Sequence, residues 1–407
     1  MKKIAIHVFL LFALLSNVYA NNIDKNNKFI NGIEILYQTY EIIYLQTIYI
    51  NYLNFVENVK ETEKTKYIKH LYKDYIDKYG DICKNNTEIL KKIINNIHKW
   101  EKLHDNNETL ERLVFNVILY ADHDREFQNK CLKLIKKANK KGKCYQCLYS
   151  FLKDKLLVLD GKEQLFGTQY KITEDEKLYI YPIKNEANLS KRCNRYGLSK
   201  DALNDMYNFE LKIYKDENYR KQSLHELRIF LENPKILTSL NKMNLNIIIY
   251  NNYIRKANDQ DKIVYFDKYG DINKLNADKL KDLINKTDGL IFTQKYSKFS
   301  NWIVLQVIFY ADYDRDFQVK CLVKIEEAIK NKEFTKYMFP YLKDKILIYQ
   351  GKKQVFGTQG ELDKNGDWQV YPIEDENELA NRRKEYNLTV TNLNFYIKNG
   401  YLNKCVK

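Results

Sequence analysis

The sequence predicts a mainly α (α+β) fold of two tandem helical domains, each with one small β-hairpin. Three observations lead to this fold class. Blocks of sequence recur at a constant offset of 190 positions, long segments carry apolar residues at helical spacing, and one short segment in each half changes to strand-like alternation. Only 13 glycines and 4 prolines interrupt the 407 residues, which favours long helices.

The internal repeat is clearest in two blocks, 151–169 and 341–359, which share twelve identical positions out of nineteen. Each copy is large enough to bury a core of its own. The repeat therefore predicts a division of the chain after an N-terminal leader. We expect repeat domain 1 at 21–198, a helical junction at 199–223 and repeat domain 2 at 224–407.

Six segments of the first copy are predicted as helices, some from apolar residues at helical spacing and others from apolar stretches without Gly or Pro. They are 33–59, 66–79, 86–99, 110–120, 125–137 and 149–159. Asp124 occupies the position of a helix N-cap, and Gly161 and Gly351 follow the last helix of each copy. Pro340 suits the first turn of the matching helix in the second copy.

The periodicity changes after each of these last helices. Residues 164–170 and 178–181 are predicted as two strands around a polar turn. In the second copy the turn contains Asn365-Gly366, a strong short signal for a hairpin. A helix is expected after the proline that follows each hairpin.

The first twenty residues predict a secretory signal. Lys2 and Lys3 precede an apolar run from Ile4 to Leu15, and Val18-Tyr19-Ala20 places compact residues where a signal peptidase cleaves. This run is too short to span a bilayer as a helix, and no later run approaches that length. We expect a secreted or periplasmic protein, with no membrane association after signal cleavage.

The net charge of +15 is compatible with a nucleic-acid partner, but its distribution argues against one. A lysine-rich stretch at 133–143 becomes a mixture of lysine and glutamate at 323–333. A polyanion-binding site shared by the two copies would be positively charged in both, so we interpret the stretch as a solvated helix face. The sequence predicts no nucleic-acid partner and leaves an unknown small molecule or a protein as the partner.

The chain has seven cysteines. Cys131 and Cys321 are equivalent positions on an apolar helix face and are predicted to be buried thiols. Four cysteines that only the first copy contains predict disulfides in an oxidising compartment. They are Cys83, Cys144, Cys147 and Cys193. The pair at 144 and 147 lacks a second pair at zinc spacing, so neither a metal nor a cofactor is expected.

Polar residues shared by the two copies form the candidate site. The catalytic candidates are Asp122, Asp154, Asp312 and Asp344. The ligand-binding candidates are Gln128, Gln164, Gln169, Arg192, Gln318, Gln354, Gln359 and Arg382. Acids and amides gathered in a pocket can transfer protons or bind a cation. We expect the acids and hairpin glutamines of each copy to lie together, with the arginine as their counter-charge.

Each candidate also has a structural interpretation. The hairpin glutamines can fasten the hairpin to the helices, because buried polar groups need partners. Asp154 can pair with Arg192 or Lys155. Asp122 follows a very apolar helix, at a break in the chain and without a clear capping role. It is therefore the strongest functional candidate.

Four blocks of sequence resemble a bacterial family of unknown activity, domain-of-unknown-function family 6624. The blocks are Ala-Asp-x-Asp-x-x-Phe-Gln at 121–128 and 311–318, Tyr/Phe-Leu-x-Asp-Lys at 151–155 and 341–345, Gly-x-x-Gln-x-Phe-Gly-Thr-Gln at 161–169 and 351–359, and a Pro-Ile segment with arginines near 182–192 and 372–383. The third block is the most specific. The resemblance implies two tandem copies of this domain and names no reaction.

Two departures from the family bear on activity. Members usually carry His before Ala-Asp, where this chain has Tyr120 and Tyr310. If that His takes part in chemistry, both copies have lost it. Members also carry Glu-Leu near their start, and this chain has Glu210-Leu211, which the repeat assigns to the second copy.

Two functions stay open at this point. The first is an exported tandem binding or structural module with degenerate pockets. The second is an exported hydrolase-like enzyme that uses an Asp/Gln polar cluster in each repeat. The missing His and the divergence of the two copies favour the first. Candidate side chains bonded within a closed core would support the first function, and the same side chains converging beside a cleft would support the second.

The signal predicts cleavage after Ala20, because basic, apolar and small-residue regions follow one another in the required order. N-terminal sequencing of exported material is expected to begin at or next to Asn21. A sequence that begins elsewhere, or a chain that keeps Met1, would contradict the predicted signal.

Overall fold

The computed structural model confirms the predicted fold class. It describes residues 27–57, 61–97, 108–142, 145, 147–173, 177–255, 257–292, 298–334, 336, 338–363 and 368–388. Within them the chain is mainly helical, with two antiparallel two-stranded sheets. The predicted signal and the Asn365-Gly366 turn lie outside the described residues.

The described chain divides into two compact units. The first comprises residues up to Pro234 together with Asn252–Val264, and the second comprises Lys235–Asn251 together with the residues from Tyr265 onward. Each unit is considered separately below. The correspondence of these units to two repeats of one domain stays a prediction.

The first unit begins with a long helix that ends in a π-helical turn. Its elements are α1 (Asn27–Tyr52), the π-helix Leu53–Glu57, α2 (Glu63–Tyr79), α3 (Ile82–Ile97), α4 (Glu108–Leu119), α5 (Arg125–Lys140), α6 (Leu148–Leu159), β1 (Tyr170–Ile172), β2 (Leu178–Ile180), α7 (Leu189–Asn194), α8 (Lys200–Lys215) and α9 (Glu217–Glu232). The predicted helices of this half are all present, with ends shifted by a few residues.

The core of the first unit lies between the helices that follow the long α1. Helix α1 packs against α3 and α4, and α4 packs against α5 and α6. Val117, Ile118, Cys131 and Leu152 are fully buried at these contacts. Burial of such side chains contributes about 1.5–3 kcal/mol each relative to exposure.

The predicted junction is helical, and its helices pack within the first unit. Helix α9 lies against α1 and α2. Phe230 makes ring contacts with Tyr44 and Tyr75, and Tyr219 makes one with Phe55. Aromatic contacts of this kind bury large apolar areas, so these helices contribute to the core instead of spanning a gap.

The elements after α9 form the second unit, except that Pro234 and Asn252–Val264 belong to the first. They are α10 (Pro234–Ile249), the π-helix Tyr250–Ile254, α11 (Asp259–Tyr269), α12 (Ile272–Lys286), α13 (Lys298–Phe309), α14 (Arg315–Lys330), α15 (Phe339–Tyr349), β3 (Gly360–Leu362), β4 (Trp368–Val370) and α16 (Leu379–Glu385). Helix α13 packs against α12, α14 and α15, and α15 packs against α14.

The first predicted strand is wrong for residues 164–169. Strand β1 starts at Tyr170, which pairs with Ile180 across the sheet, and Gln164 makes only an isolated bridge to Ile183. The intervening residues form a loop. Several of its backbone N–H groups are bonded to a buried side chain, so they cannot join a strand ladder.

The predicted helix caps are confirmed. Asp124 accepts a hydrogen bond from the backbone N–H of Phe127 at 2.9 Å, and Asp314 accepts the same bond from Phe317 at 2.9 Å. An N-cap of this type contributes about 1 kcal/mol. This role explains why the fourth position of the Ala-Asp-x-Asp block is acidic in both units.

The predicted buried thiols Cys131 and Cys321 are confirmed, but two of the predicted disulfide partners are not paired. Cys83 donates to the carbonyl of Tyr120 at 2.9 Å, and Cys193 donates to that of Phe166 at 3.4 Å. Both are free and buried, so the prediction that they form bridges is wrong. Cys144 lies outside the described residues.

Across the described residues, no helix combines the length and apolar character needed to cross a bilayer.

Two glycines of the second unit provide a matched test of the loop that precedes its hairpin. Gly357 and Gly351 have φ of 64° and 69°, so alanine is strained at either position. A Cβ at Gly357 would also lie 2.7 Å from Nη2 of Arg383, whereas nothing lies within 4 Å of one at Gly351. Gly357→Ala is therefore expected to lower the melting temperature several degrees more than Gly351→Ala.

Thermal unfolding monitored by circular dichroism checks this difference. Equal decreases in melting temperature for the two variants would contradict the close packing of Arg383 on the loop.

Candidate functional site

Asp154 is the centre of the polar cluster in the first unit. It lies on α6, is 0% exposed, and accepts hydrogen bonds from four donors of the following loop. Backbone N–H groups of Leu165, Phe166 and Thr168 donate at 2.7, 3.0 and 3.1 Å. The hydroxyl of Thr168 donates at 3.0 Å. The carboxylate thus determines the conformation of the loop.

Asp344 makes the same contacts in the second unit. It is 0% exposed and accepts from the backbone of Val355, Phe356 and Thr358 at 2.8, 3.0 and 2.9 Å. The hydroxyl of Thr358 donates at 2.8 Å. Every partner is displaced by the 190-residue offset of the sequence repeat.

Burial and hydrogen bonding act in opposite directions on these two carboxyl groups. Burial raises the pKa of Asp154 and of Asp344 above the ordinary range. The N–H and O–H donors of the loop lower it, because they stabilise the ionised form. Burial is the larger effect in both units.

The hairpin glutamines close the loop in the way their structural interpretation predicts. Gln164 is fully buried and donates from Nε2 to the carbonyls of Gln169 and Tyr181 at 2.9 and 2.7 Å. Its Oε1 accepts from the backbone N–H of Gln169 at 2.8 Å. Gln354 makes the equivalent three bonds at 2.9, 2.6 and 2.8 Å.

Gln169 and its counterpart Gln359 extend the network to α6 and α15, the helices that carry the buried aspartates. Gln169 donates to the hydroxyl of Thr168 at 3.1 Å, and to the carbonyl of Phe151 at 3.4 Å. Gln359 makes the matching bonds at 3.1 and 3.3 Å. Asp154, Gln164 and Gln169 therefore belong to one hydrogen-bonded group, as do Asp344, Gln354 and Gln359.

The predicted counter-charges bind backbone carbonyls of the loop. Arg192 donates to Leu165, Asn185 and Lys184 at 2.8, 2.9 and 2.6 Å. Arg382 donates to Val355 at 2.8 Å and to Asp375 at 2.6 Å. Both arginines fasten the loop rather than pairing with the buried aspartate.

A second arginine, Arg383, also binds the loop of the second unit. Arg383 donates to the carbonyls of Phe356 and Gly357 at 2.8 and 3.1 Å. Burial lowers its pKa, and the charge of Asp344 raises it. Cys193 stands at the equivalent position of the first unit, where Tyr207 donates its hydroxyl to the carbonyl of Gly167.

Asp122 belongs to a second, more exposed group. Its side chain is 43% exposed and lies 3.0 Å from the ammonium of Lys155. The buried Gln128 donates to it at 3.1 Å and to the carbonyl of Ile118 at 2.9 Å. Gln128 thereby caps the end of α4, because the last carbonyls of a helix lack partners within the helix.

Asp312 repeats this arrangement in the second unit. Its side chain is 54% exposed and lies 2.6 Å from the ammonium of Lys345. Gln318 donates to it at 3.4 Å, and the hydroxyl of Tyr349 donates at 2.9 Å. The predicted cluster of acids is thus divided, since Asp122 and Asp312 bond to a different set of side chains from the loop-bound aspartates.

Glu210, which the sequence repeat assigns to the second copy, lies in the first unit and is a further functional candidate. It lies on α8 of the first unit, is half-buried, and has no hydrogen bond or ion pair with any described residue. Burial raises its pKa. The Glu-Leu motif of the resembled family is the signal that could have identified it.

The charge of Glu210 acts on two tyrosine hydroxyls of the first unit. Burial raises the pKa of Tyr120 to about 12, and the charges of Glu210 and Asp122 add to this rise. Glu210 also contributes to the raised pKa of Tyr170, after burial. The Tyr49 ring meets Tyr120 edge-on at 6.2 Å. We refer to Tyr49, Tyr120, Tyr170 and Glu210 as the tyrosine–glutamate cluster.

Cys83 and His123 lie beside this cluster but do not form a nucleophilic pair. The Cys83 sulfur is 4.0 Å from Nδ1 of His123. Burial raises the pKa of Cys83 to about 12, and Asp81 and Asp122 add to the rise. The thiol therefore stays protonated, and a thiolate is the form that reacts.

Comparisons with known proteins assign no activity. A model of a family of unknown function (DUF6624) matches residues 72–212 and supports the resemblance over that stretch. The match includes Asp122, Asp154 and Glu210. No curated protein and no solved structure matches the chain.

The four donors around Asp154 predict a large effect of a conservative change. Asp154→Asn leaves one acceptor oxygen for the loop, so buried N–H groups lose their partner, at a cost of about 1–3 kcal/mol each. Asp160→Asn is the matched control. Asp160 follows the same helix, is 47% exposed and pairs with Arg125. Its replacement is expected to cost less than about 1 kcal/mol.

Denaturant unfolding of both variants checks this difference. Equal free energies of unfolding for the two variants would show that the loop does not depend on the carboxylate.

Proposed function

We propose that this chain is an exported protein with two copies of an uncharacterised domain, and that it acts as a tandem binding or structural module. The observation that carries the proposal is the closed environment of Asp154 and Asp344. Each carboxylate is 0% exposed and uses both oxygens on the loop of its own unit. Neither has an oxygen left to act on a substrate.

Contacts outside the matched blocks support two copies of one domain. Asn86 donates to the carbonyl of Ile42 on α1 at 3.1 Å, and Asn276 donates to that of Met243 on α10 at 3.1 Å. Each of these long helices runs into a π-helical turn. The long helices have little sequence in common, so the similar contacts support the repeat independently of the matched blocks.

The hydrolase-like alternative depends on the more exposed acids. An enzyme that used the Asp/Gln cluster would need Asp154 and Gln164, and both are engaged by the loop. Asp122 and Asp312 are exposed, but each forms an ion pair with a lysine. The lysine ammonium thus occupies a carboxylate that a general base would need free to accept a proton.

Export rests on the N-terminal sequence. Two lysines, an apolar run and a small-residue site follow one another in residues 2–20, which lie outside the described residues. A secreted or periplasmic location is consistent with a binding module that meets its small molecule or protein partner outside the cytoplasm.

The proposal predicts that ligands are bound and recovered unchanged. Purified full-length protein would be incubated with chromogenic esters, phosphoesters and glycosides, in parallel with the Asp122→Asn/Asp312→Asn double variant. We expect no turnover that differs between the two proteins, because these carboxylates serve as ion-pair partners. The double variant is expected to melt at a lower temperature, since Lys155 and Lys345 lose their partners.

Turnover by the wild type that falls more than a hundredfold in a folded double variant would overturn the proposal. That result would establish the hydrolase-like alternative.

A further inference from the structure

The two units differ in the contacts of one arginine that the sequence repeat places at equivalent positions. In the first unit Arg125 donates to Asp160 at 2.6 Å and to the carbonyl of Leu156 at 3.1 Å. Its Nη1 also donates to Oε1 of Gln128 at 3.5 Å. These contacts use the guanidinium within the fold, so Arg125 has a structural role.

Arg315, the equivalent arginine of the second unit, makes none of these contacts. Gln350 stands where the first unit has Asp160, so the acidic partner is missing. Arg315 is exposed and has no hydrogen bond or ion pair with a described residue. Its guanidinium carbon lies 4.4 Å from the centre of the Tyr349 ring, a ring that Leu159 replaces in the first unit. The tyrosine holds the guanidinium in place, and its N–H donors are available to a ligand.

The contacts of Asp312 are a second difference between the units. In the first unit Asp122 uses both oxygens, since Gln128 donates to Oδ1 and Lys155 lies 3.0 Å from Oδ2. In the second unit three side chains contact Asp312, and all of them reach Oδ1. They are Lys345 at 2.6 Å, Tyr349 at 2.9 Å and Gln318 at 3.4 Å. Oδ2 of Asp312 accepts no hydrogen bond from a described residue, so it can accept one from a ligand while the ion pair stays intact.

A buried acceptor beside Asp312 also lacks a partner. Gln318 is 0% exposed, and its Nε2 donates to Oδ1 of Asp312 at 3.4 Å and to the carbonyl of Ile308 at 2.9 Å. Its Oε1 has no hydrogen-bond partner among the described residues, whereas Oε1 of Gln128 has Arg125. A buried acceptor without a partner is unfavourable, and a donor bound beside Asp312 would satisfy it.

Tyr349 joins these groups. Its hydroxyl donates to Asp312 at 2.9 Å, and Arg315 lies over its ring. The ammonium of Lys345 lies 2.6 Å from Asp312 and 5.8 Å from the centre of the same ring. An available carboxylate oxygen and an available guanidinium therefore flank one phenol, which sets their separation before a ligand arrives.

We propose that Asp312 and Arg315 bind the zwitterion of a free α-amino acid in the second unit. The inference rests on the proposed function and specifies the ligand class of one module. The ammonium group of the ligand donates to Oδ2 of Asp312 and to Oε1 of Gln318, because an ammonium carries three donors. The carboxylate of the ligand accepts paired hydrogen bonds from Arg315, whose planar guanidinium matches the geometry of a carboxylate.

A ligand with a single charge fits these groups less well. An anion at Arg315 would lie near the carboxylate of Asp312, and an organic cation at Asp312 would lie near the ammonium of Lys345. A zwitterion places each of its charges against a group of opposite sign. A metal ion is disfavoured as well, since no set of three His, Cys, Asp or Glu side chains is arranged to hold one within the described part of the chain.

The first unit lacks both available groups. Arg125 is paired with Asp160, and the two oxygens of Asp122 are in use. The inference therefore predicts one amino-acid site per chain, even though the chain contains two units. The equivalent residues of the first unit provide a matched control for each substitution in the second.

Titration of the full-length chain with glycine, followed by ligand-observed NMR, tests the proposal. Glycine is the smallest α-amino acid, so no side chain can prevent its binding. We expect saturable binding. Methylamine lacks the carboxylate and acetate lacks the ammonium, so each is expected to bind at least about fivefold more weakly than glycine.

Substitutions in the two units separate the site from its counterpart. Arg315→Gln is expected to weaken glycine binding at least about fivefold, and Arg125→Gln, the same change in the first unit, is expected to leave it unchanged. Asp312→Asn and Asp122→Asn are expected to differ in the same way. Melting temperatures identify any variant that fails to fold.

A further variant weakens binding without removing any group of the site. Gln350→Asp restores the acid that the first unit has at Asp160, and the new carboxylate is expected to pair with Arg315. Glycine binding is expected to weaken about fivefold, while the melting temperature stays the same or rises. Because this variant loses no contact within the site, it tests the proposal even if Arg315→Gln or Asp312→Asn does not fold.

Three results would overturn the inference without affecting the proposed function. The first is a failure of glycine to bind in a saturable manner, and the second is binding of methylamine or acetate as tight as that of glycine. The third is an equal loss of glycine binding in Arg315→Gln and Arg125→Gln. Failure of the proposed function would appear instead as turnover in the chromogenic assays.

Discussion

The structure of each unit depends on one buried carboxylate bound to the loop that precedes the hairpin. Asp154 and Asp344 each accept hydrogen bonds from three backbone N–H groups and a threonine hydroxyl. Burying a carboxylate without hydrogen-bond partners would reduce the free energy of unfolding, and so would leaving the N–H groups of a buried loop unpaired. The two requirements satisfy each other, and the glutamines and arginines complete the backbone hydrogen bonds of the same loop.

Much of the fold could be predicted because its signals are local. Helical spacing determines α3 to α6, and an aspartate before a helix caps it in both units. The structural interpretation of Gln164 and Gln169 was also predictable, since buried amides near a hairpin must find partners nearby. Each of these local patterns occurs in both copies at the same offset, which supports its interpretation more strongly than a single occurrence would.

The remaining features depend on contacts between distant parts of the chain. The start of β1 at Tyr170 follows from the use of the preceding N–H groups by Asp154, which lies on another element. No sequence pattern identifies the backbone carbonyl groups to which Arg192 donates. Glu210 was assigned to the second copy because it lies beyond the first repeat block, whereas α8 packs within the first unit.

Hydrogen exchange tests the role of the buried carboxylates most directly. The amides of Phe166, Thr168, Phe356 and Thr358 are bonded to them and lie in loops, not in helices or strands. Our account predicts that they exchange as slowly as the amides of the core helices, because they open only when the unit unfolds. Exchange of these amides at the rate of an exposed loop would contradict the account.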